Sequence, residues 1–257
     1  MEFIHYSVKD RIGFITLNRP EKRNALNFEL VSELKAVFLE AEIDPEVKII
    51  ILKANGEAFC AGADLAYLKK LQGFSFEENL EDSRHLRNLF YQIYTLKKVV
   101  IAQVQGHALA GGCGLATVCD FVYAVPEAKF GYTEVKIGFV PAIVMVFLIR
   151  KIGEQKAKHL LLSGELISRD KAVTSGIVNQ IVSREELEST VEDFAQRLIK
   201  NNSAQSLELT KKMIAEVQTL PLDKALEYAA TMNAKARGSA DYKKGIQGFL
   251  DKADLLW

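Results

Sequence analysis

The feature that most constrains the fold of this chain is a pair of similar segments, each with an apolar run followed directly by a cluster of Gly and Ala residues. The runs lie at 47–54 and 99–104, and the clusters lie at 56–64 and 106–114. Short runs rich in Val and Ile predict buried strands, and the apolar residues beyond each cluster predict helices. Because small residues leave the backbone of a strand-to-helix turn exposed, its N–H groups can bind negative charge. The two turns are therefore a candidate site for stabilising an oxyanion.

Further strand-like runs at 12–17 and 121–125 alternate with patterns of helical spacing. The first helical pattern carries four apolar residues, Leu30, Leu34, Val37 and Phe38. Such alternation predicts an α/β fold in which helices cover sheets. We predict that residues 1–182 form the core that contains the site.

The character of the sequence changes near Ser183, after which only helical patterns occur. Ser183 and Glu186 have the spacing of a capping box that opens a helix. One apolar face then follows at helical spacing, formed by Leu187, Val191, Phe194 and Leu198. We predict that residues 183–257 form a helical region whose apolar faces are covered by other subunits.

Composition excludes several classes of function. The 257 residues include 33 Lys and Arg and 33 Asp and Glu, so the chain has no net charge to attract nucleic acid or an anionic membrane, and neither partner is expected. The apolar stretch 137–149 is too short to span a bilayer and contains a proline. The first residues lack the basic and apolar segments of a signal peptide, which predicts a cytoplasmic protein.

Cysteine and histidine usage indicates a reducing compartment and no metal site. The three cysteines, Cys60, Cys113 and Cys119, have no paired spacing, and the four histidines are far apart. A thiol nucleophile at Cys60 or Cys113 would need a nearby histidine, for which His107 is the candidate, so buried packing is the favoured interpretation. A dinucleotide-binding interpretation of the second cluster fails because its glycine pattern is broken at Thr117.

Four segments carry patterns that are specific in combination. The segment 101–121 has Ala110-Gly111-Gly112 in its turn and Cys119-Asp120-Phe121 at its end, and the segment 59–65 reads Phe59-Cys60-Ala61-Gly62-Ala63-Asp64-Leu65. Together with the opening 15–26 and the tail 239–250, they resemble the enoyl-CoA hydratase/isomerase (crotonase) family over nearly the whole chain. This resemblance implies a spiral of ββα turns with a C-terminal helical oligomerisation region, assembled as a homotrimer or homohexamer.

The resemblance also implies a substrate and the residues that bind it. Family members bind acyl-CoA thioesters, with coenzyme A as part of the substrate and no separate cofactor. The backbone N–H groups of Ala61 and Gly111 would form the oxyanion hole. The other implied substrate-binding residues are Arg23, Ala25, Leu26, Gly62, Ala63, Asp64, Phe249 and Lys252. The last two would reach the ligand of a neighbouring subunit. Asp64 also has the right position to cap a helix that begins near Leu65.

Glu134 is the acid–base residue that the resemblance implies. Its apolar neighbours in sequence, such as Ile137, Phe139 and Val140, would raise the pKa of its carboxyl group toward the range useful for proton transfer. Hydratases of the family typically use a second glutamate, and its position here is Gly114, which has no side chain to offer. One glutamate suffices to shift a double bond. It also suffices for hydration when the same group activates water and relays the proton to the α-carbon.

A second departure from the family pattern lies at 141–145, where Pro141 is followed by Ala, Ile, Val and Met instead of glycines. These side chains would either narrow the acyl pocket, which favours short or branched acyl chains, or pack in the core. We expect a lyase of the enoyl-CoA hydratase type. The alternatives are an enoyl-CoA isomerase, thioester hydrolysis or decarboxylation at the same oxyanion hole. A non-catalytic subunit is disfavoured by the intact turns and by Glu134, and an RNA-binding protein by the absence of net charge.

Overall fold

The computed structural model describes residues 1–253 and 255–257. Their strands, in chain order, are Ile4–Lys9 (β1), Ile12–Leu17 (β2), Ile49–Ala54 (β3), Ala58–Cys60 (β4), Val99–Val104 (β5), His107–Leu109 (β6), Phe121–Ala124 (β7), Phe130–Gly131 (β8) and Gln180–Ile181 (β9). Their helices are Phe28–Ile43 (α1), Leu65–Leu71 (α2), Phe76–Thr95 (α3), Gly111–Val118 (α4), Ala142–Ile152 (α5), Glu154–Ser163 (α6), Arg169–Ser175 (α7), Leu187–Asn201 (α8), Ala204–Val217 (α9), Leu222–Arg237 (α10) and Ala240–Leu250 (α11). Short 3₁₀ turns occupy Pro20–Lys22 and Glu134–Ile137.

The larger of two sheets has the strand order β1-β2-β3-β5-β7-β9 and is parallel apart from the β1–β2 hairpin. Asp10 and Arg11 form the two-residue turn of this hairpin, and both have the positive φ that a type I′ turn requires. Every residue of β2 and β5 is buried, so both faces of the sheet are covered. A strand buried on both faces has a continuous apolar sequence, which explains why the sequence predicts β2 and β5 with their observed bounds.

The smaller sheet has the order β4-β6-β8, with two or three residues in each strand. Each of its strands follows a strand of the larger sheet along the chain, since β3 leads into β4, β5 into β6 and β7 into β8. A helix or a 3₁₀ turn comes next in each case. This repetition is the predicted spiral of ββα turns, and the fold class is confirmed.

The apolar faces predicted for the helices are confirmed, and the predicted start of one helix is corrected. The apolar residues of the first helical pattern are all buried in α1, namely Leu30, Leu34, Val37 and Phe38. The capping box predicted at Ser183 and Glu186 is wrong. Helix α8 begins at Leu187, and the Ser183 hydroxyl donates instead to the Glu186 carboxylate at 2.7 Å. A capping box does form at the start of α3, between Ser75 and Glu78.

The predicted apolar face of α8 is covered by its own chain, which corrects the expectation that another subunit must cover it. Leu187 and Val191 are buried, and the Phe194 ring lies 4.9 Å from the Phe121 ring of β7. This face therefore carries no information about oligomers. Residue 182 follows the last strand, after which the described residues form helices alone. Because α8 packs on the larger sheet, the division of the chain into two units stays a prediction.

Within residues 1–253 and 255–257, no helix combines the length and the apolar character needed to cross a membrane. The same residues contain no group of three or more His, Cys, Asp or Glu side chains placed to hold a metal ion.

Lysine side chains cap the carboxyl ends of several helices and hold them on the core. Lys98 donates to carbonyl oxygens at the end of α1, Lys151 at the end of α4 and Lys48 at the end of α8. Lys211 of α9 donates to a carbonyl near the end of α3 and forms an ion pair of 2.7 Å with Asp120. The last carbonyl groups of a helix lack backbone partners and carry the negative end of its dipole, so an ammonium group satisfies both needs at once.

The ion pair of Lys211 is expected to contribute strongly to stability, and the next residue supplies a control. Lys211→Met keeps the apolar stem but leaves Asp120 and two carbonyl oxygens without their ammonium partner. We expect the free energy of unfolding to fall by about 3 kcal/mol, the usual cost of breaking a buried pair. Lys212→Met, at an exposed position, should change it by less than about 0.5 kcal/mol. Urea unfolding monitored by circular dichroism measures both, and equal effects would contradict the role given to Lys211.

Candidate active site

The three positions predicted to be catalytic lie at one edge of the smaller sheet. Ala61 directly follows β4, Gly111 comes two residues after β6, and Glu134 comes three residues after β8. Because β4, β6 and β8 are parallel neighbours, their carboxyl ends lie side by side. Binding sites of parallel sheets commonly form at this edge. Strand pairing thus brings together residues that are far apart in sequence.

The two Gly-rich turns touch each other backbone to backbone. A Cβ atom added to Gly62 would lie 2.8 Å from the Ala110 Cβ and 3.5 Å from the Gly111 nitrogen. A Cβ atom added to Gly112 would lie 2.2 Å from the Cys60 carbonyl oxygen. Gly62 also has a φ of +92°, which residues with a side chain rarely adopt. The small residues are therefore required by the packing of the turns themselves.

The N–H group of Gly111 is free to bind an acceptor. Gly111 is the first residue of α4, and the Ala110 carbonyl accepts a hydrogen bond of 3.0 Å from Gly114 N. The C=O and N–H of a trans peptide point in opposite directions, so the Gly111 N–H points out of the start of the helix. Among the described residues it has no acceptor. The positive end of the helix dipole increases its attraction for an oxyanion.

The N–H group of Ala61, in contrast, already has an acceptor. It donates to the Arg23 carbonyl oxygen at 3.0 Å. The pairing continues along the chain, since Leu26 N donates to Gly62 O at 2.7 Å and Asp64 N donates to Leu26 O at 2.8 Å. The two predicted substrate-binding segments, 23–26 and 61–64, thus lie against each other. The role of the Ala61 N–H as an oxyanion donor stays a prediction.

Asp64 caps α2, as its position before Leu65 predicts. Its Oδ1 atom accepts hydrogen bonds from two N–H groups in the first turn of that helix. Its Oδ2 atom accepts from Arg19 Nη1 at 2.7 Å, and the same guanidinium nitrogen donates to the Ala25 carbonyl. Burial acts to raise the pKa of Asp64, but the hydrogen bonds from Arg19 and the backbone prevail and hold it below its usual value. Ala63, between the turn and this cap, is exposed.

Glu134 begins the 3₁₀ turn after β8, and its side chain is buried. Its Oε2 atom has no hydrogen-bond partner among the described residues. Burial raises the pKa of this carboxyl group above its usual value, which is the predicted direction. Ile137, Phe139 and Val140 are each more than half exposed, so their part in this burial stays a prediction. A buried carboxylate oxygen without a partner costs stability, so its presence points to a functional role.

A buried hydrogen-bond network lies next to Glu134. Tyr132 is completely buried, and its hydroxyl lies 2.9 Å from that of Thr117. The Thr117 hydroxyl also lies 3.1 Å from the Gly114 carbonyl oxygen. Burial raises the pKa of Tyr132 well above its usual value, and the charge of Glu134 acts in the same direction, so the phenol is protonated at neutral pH. The network links Tyr132, at the end of β8, to α4, the helix that carries Gly111.

The buried cysteines are packing residues. Burial raises the pKa of the Cys60 and Cys113 thiols to about 12, so neither is a thiolate at neutral pH. His107 is exposed, and its Nδ1 atom accepts a hydrogen bond from Lys129 N. The interpretation of these cysteines as core residues is confirmed.

The two departures from the family pattern meet in space. A Cβ atom added to Gly114 would lie 2.2 Å from Val144 Cγ1 and 3.1 Å from Phe90 Cε1. Val144 is in α5 and is 4% exposed, so it fills the space that a side chain at 114 would need. Of the two interpretations of 141–145, core packing describes Val144, whereas Met145 is 40% exposed. A glutamate at 114 has no room unless Val144 moves.

Phe249 and Lys252 do not join the other predicted residues within one chain. Phe249 is 82% exposed on α11. On the same helix the Lys244 ammonium lies over the Trp257 ring, and the Trp257 carbonyl accepts a hydrogen bond from Arg11. Arg11 directly precedes β2, so α11 lies near the amino end of that strand. The predicted contact of Phe249 and Lys252 with substrate needs a second copy of the chain and stays a prediction.

At one edge of the smaller sheet, the ββα spiral holds a buried carboxyl group and a helix N-terminus that has no acceptor among the described residues. This arrangement defines an enzyme of the crotonase class. A family model described as enoyl-CoA hydratase/isomerase matches residues 7–257. This chain belongs to the enoyl-CoA hydratase/isomerase family.

Individual relatives agree with this assignment. A Thermus thermophilus protein provisionally named an enoyl-CoA hydratase is 41% identical over 248 residues, which cover 95% of this chain and 96% of that protein. The crotonyl-CoA hydratase of Syntrophomonas wolfei is 33% identical over 246 residues, covering 95% of this chain and 93% of that one. The crystal structure of an enoyl-CoA hydratase from Shewanella pealeana superimposes with a TM-score of 0.93 at 28% identity, covering 99% and 96% of the two chains.

The contact between Gly114 and Val144 predicts a strong coupling between the two positions. Gly114→Ala should lower the free energy of unfolding by about 1–3 kcal/mol, because the added methyl overlaps Val144. Val144→Ala should lower it by about 2 kcal/mol through the cavity that it leaves. At position 144 the double variant loses the 2.2 Å overlap with Cγ1 and keeps only the 2.8 Å approach to the Cβ atom. Its loss should therefore be smaller than the sum of the two by about 1 kcal/mol or more. Gly73→Ala, where a Cβ atom meets no closer contact than 3.6 Å, is the control for the glycine replacement. Additive losses in urea unfolding would contradict the coupling.

The buried Glu134 carboxylate predicts a stability change of defined sign with pH. Its pKa is raised on folding, so its ionisation favours the unfolded state, and the native chain loses stability as pH rises from the unfolded value through the folded one. Glu134→Gln removes this penalty. Thermal midpoints should be higher in the variant than in the wild type at pH 8, and the difference should shrink toward pH 4.

Glu154→Gln is the matched control for this experiment. Glu154 is exposed, and its ion pair with Lys158 lowers its pKa, so this replacement should give no gain at pH 8. A Glu134→Gln chain that is less stable than the wild type at pH 8 would contradict the penalty assigned to the buried carboxylate.

Proposed function

We propose that this chain is an enoyl-CoA hydratase-type lyase that adds water to short or branched 2-enoyl-CoA thioesters, with enolate stabilisation by the two turns and proton transfer by Glu134. The observation that carries the proposal is the buried Oε2 atom of Glu134 at the same sheet edge as the Gly111 N–H, neither of which has a hydrogen-bond partner within residues 1–253 and 255–257. The family assignment and the relatives named as hydratases support it.

In this mechanism the thioester oxygen accepts a hydrogen bond from the Gly111 N–H and a second one from the Ala61 N–H. The Ala61 N–H is bonded to Arg23 O, so the mechanism requires that carbonyl to share or release it when the substrate binds. A donor of this kind contributes about 3 kcal/mol because it meets charge that is larger in the transition state than in the substrate. Gly62, next to Ala61, lets the two turns pack closely enough to bring both donors to one edge of the sheet.

Glu134 carries the proton in both halves of the addition. Its carboxylate takes a proton from water while the water oxygen bonds to the β-carbon, and the electrons of the double bond move toward the thioester oxygen as an enolate. The carboxylic acid then gives its proton to the α-carbon, and the thioester carbonyl re-forms. Water is consumed and no redox partner is needed. The raised pKa of Glu134 suits a group that must both accept and return a proton near neutral pH.

The packing around Gly114 supports a mechanism with one glutamate. Val144 occupies the space above Gly114, so a second carboxylate cannot enter from that position. The name of the Syntrophomonas relative, a crotonyl-CoA hydratase, is consistent with a short acyl chain. The mechanism uses no cofactor, because coenzyme A enters as part of the substrate.

Assembly into a homotrimer or homohexamer belongs to the same proposal. Leu222 and Leu226 of α10 are 77% and 63% exposed, and Phe249 and Leu250 of α11 are 82% and 68% exposed. Apolar side chains at this exposure are unfavourable in water unless another surface covers them. In such an assembly, Phe249 and Lys252 of one chain would reach the active site of a neighbouring chain.

The reaction is tested by incubating the wild type with crotonyl-CoA and with 3-butenoyl-CoA in heavy water and weighing the products by mass spectrometry. We expect crotonyl-CoA to yield a product heavier by one molecule of heavy water. An isomer of the substrate, heavier only by the deuterium that it has exchanged, would instead identify an isomerase, and free coenzyme A would identify a thioesterase.

The role of Glu134 is tested with the variants already described for stability. Glu134→Gln should lower kcat by about 10²–10⁴ with little change in affinity for acyl-CoA, because it keeps the shape of the side chain but cannot accept a proton. Glu154→Gln, on the surface, should keep wild-type turnover. Full activity in Glu134→Gln would remove the glutamate from the mechanism.

The assembly is tested by light scattering coupled to size-exclusion chromatography. One chain has a mass of 28.7 kDa, and we expect three or six times this value. Replacing exposed apolar residues of α10 and α11 by charged ones, as in Leu226→Glu combined with Phe249→Glu, should shift the mass toward that of one chain. A wild-type monomer at micromolar concentration would contradict both the assembly and a site shared between chains.

A further inference from the structure

Ala110, the residue before Gly111, has a backbone conformation that residues with a side chain rarely adopt. Its φ is +50° and its ψ is −127°. Aspartate and asparagine tolerate positive φ because their side chains can bond locally to the backbone, and Asp10 and Asn24 are such cases here. Alanine has no such group. The surroundings of Ala110 must therefore impose this conformation, and strain held in this way clusters at functional sites.

Hydrogen bonds on both sides of Ala110 hold the strained turn. The Ala110 N–H donates to Gly131 O at 2.7 Å, at the end of β8, and the Ala110 carbonyl accepts from Gly114 N at 3.0 Å. The first bond joins the turn to the strand that leads to Glu134. The second fixes the peptide group whose nitrogen is the free Gly111 N–H. Ala110 thus lies at the junction of the two groups that the proposed mechanism uses.

The methyl group of Ala110 lies between the two turns. A Cβ atom on Gly62 would be 2.8 Å from the Ala110 Cβ, 3.0 Å from Leu109 O and 3.5 Å from Gly111 N. The Ala110 methyl therefore packs directly on the Gly62 backbone, beside the Gly111 nitrogen. A glycine at 110 would adopt the same φ and ψ without strain, but it would leave this contact empty.

We propose that Ala110 is a positioning residue, whose methyl group is a spacer that sets the gap between the Gly62 and Gly111 turns and the direction of the Gly111 N–H. This proposal rests on the proposed function, in which that N–H meets the thioester oxygen. Its signature is an opposite effect on stability and on activity. Removing the methyl relieves backbone strain, and at the same time it loosens the geometry of the donor.

The test compares Ala110→Gly with Asp10→Gly, which removes a side chain at a positive φ of +51° in the distant β1–β2 turn. Ala110→Gly should keep or raise the thermal midpoint and lower kcat for crotonyl-CoA by about tenfold to a hundredfold, with little change in KM, since a misplacement of about 1 Å costs on that order. Asp10→Gly should leave kcat unchanged. Ala110→Ser, which keeps the Cβ atom, should recover most of the lost turnover.

A spectroscopic measurement separates this proposal from the proposed function. The infrared stretch of the thioester carbonyl in bound butyryl-CoA, which has no double bond to hydrate, should shift to lower frequency on the wild type and shift less on Ala110→Gly. A wild type that lowers the carbonyl frequency but hydrates no substrate would overturn the proposed function. If Ala110→Gly then lowers the frequency less, the spacer is still supported. Equal carbonyl shifts and equal kcat in wild type and Ala110→Gly would overturn the spacer alone. A fall in both thermal midpoint and kcat would also overturn it, because the methyl would then be ordinary packing.

Discussion

The structure depends on the direct contact of two backbone turns that carry almost no side-chain atoms. A Cβ atom added to Gly112 would lie 2.2 Å from the Cys60 carbonyl oxygen, and one added to Gly106 would lie 1.8 Å from the Glu57 carbonyl oxygen. Two glycines are therefore needed for β4 and β6 to pair at all. Because that pairing aligns the carboxyl ends of the small sheet, the same contact places Ala61 and Gly111 beside each other. The requirement for small residues is structural before it is chemical.

Around this contact the chain holds two groups that lower its stability and that the proposed mechanism uses. Glu134 keeps a buried oxygen without a partner among the described residues, and Ala110 keeps a strained backbone. Each costs on the order of 1–3 kcal/mol in proteins generally. The sheet buried on both faces and the helix ends capped by lysines offset such costs elsewhere in the molecule. The candidate site thus lowers the free energy of unfolding, whereas the surrounding framework raises it. Enzymes commonly show this division between site and framework.

The departures from the family pattern form a consistent set once their positions in space are known. Gly114 lacks the carboxylate that hydratases of the family typically carry, and Val144 fills the space that this carboxylate would need. Neither residue alone explains the other, but together they keep the core packed and leave Glu134 as the one carboxylate of the proposed mechanism. The C-terminal helices show a similar division. The inner face of α8 packs on its own sheet, while α10 and α11 keep apolar residues exposed.

The sequence by itself determined the elements whose burial is periodic or continuous and the turns that follow them. The bounds of β2 and β5, the buried face of α1 and the cap at Asp64 all follow from local patterns, because these patterns record which side of each element faces the core. Only the tertiary structure decided which residues contact each other across the chain. The strands β4, β6 and β8 are too short to have a period, and Arg19 reaches Asp64, Lys211 reaches Asp120 and Val144 reaches Gly114 across long separations in sequence. Local sequence fixes the burial of a side chain, but the space it fills is defined by distant segments, so the partners become known only when the chain is folded.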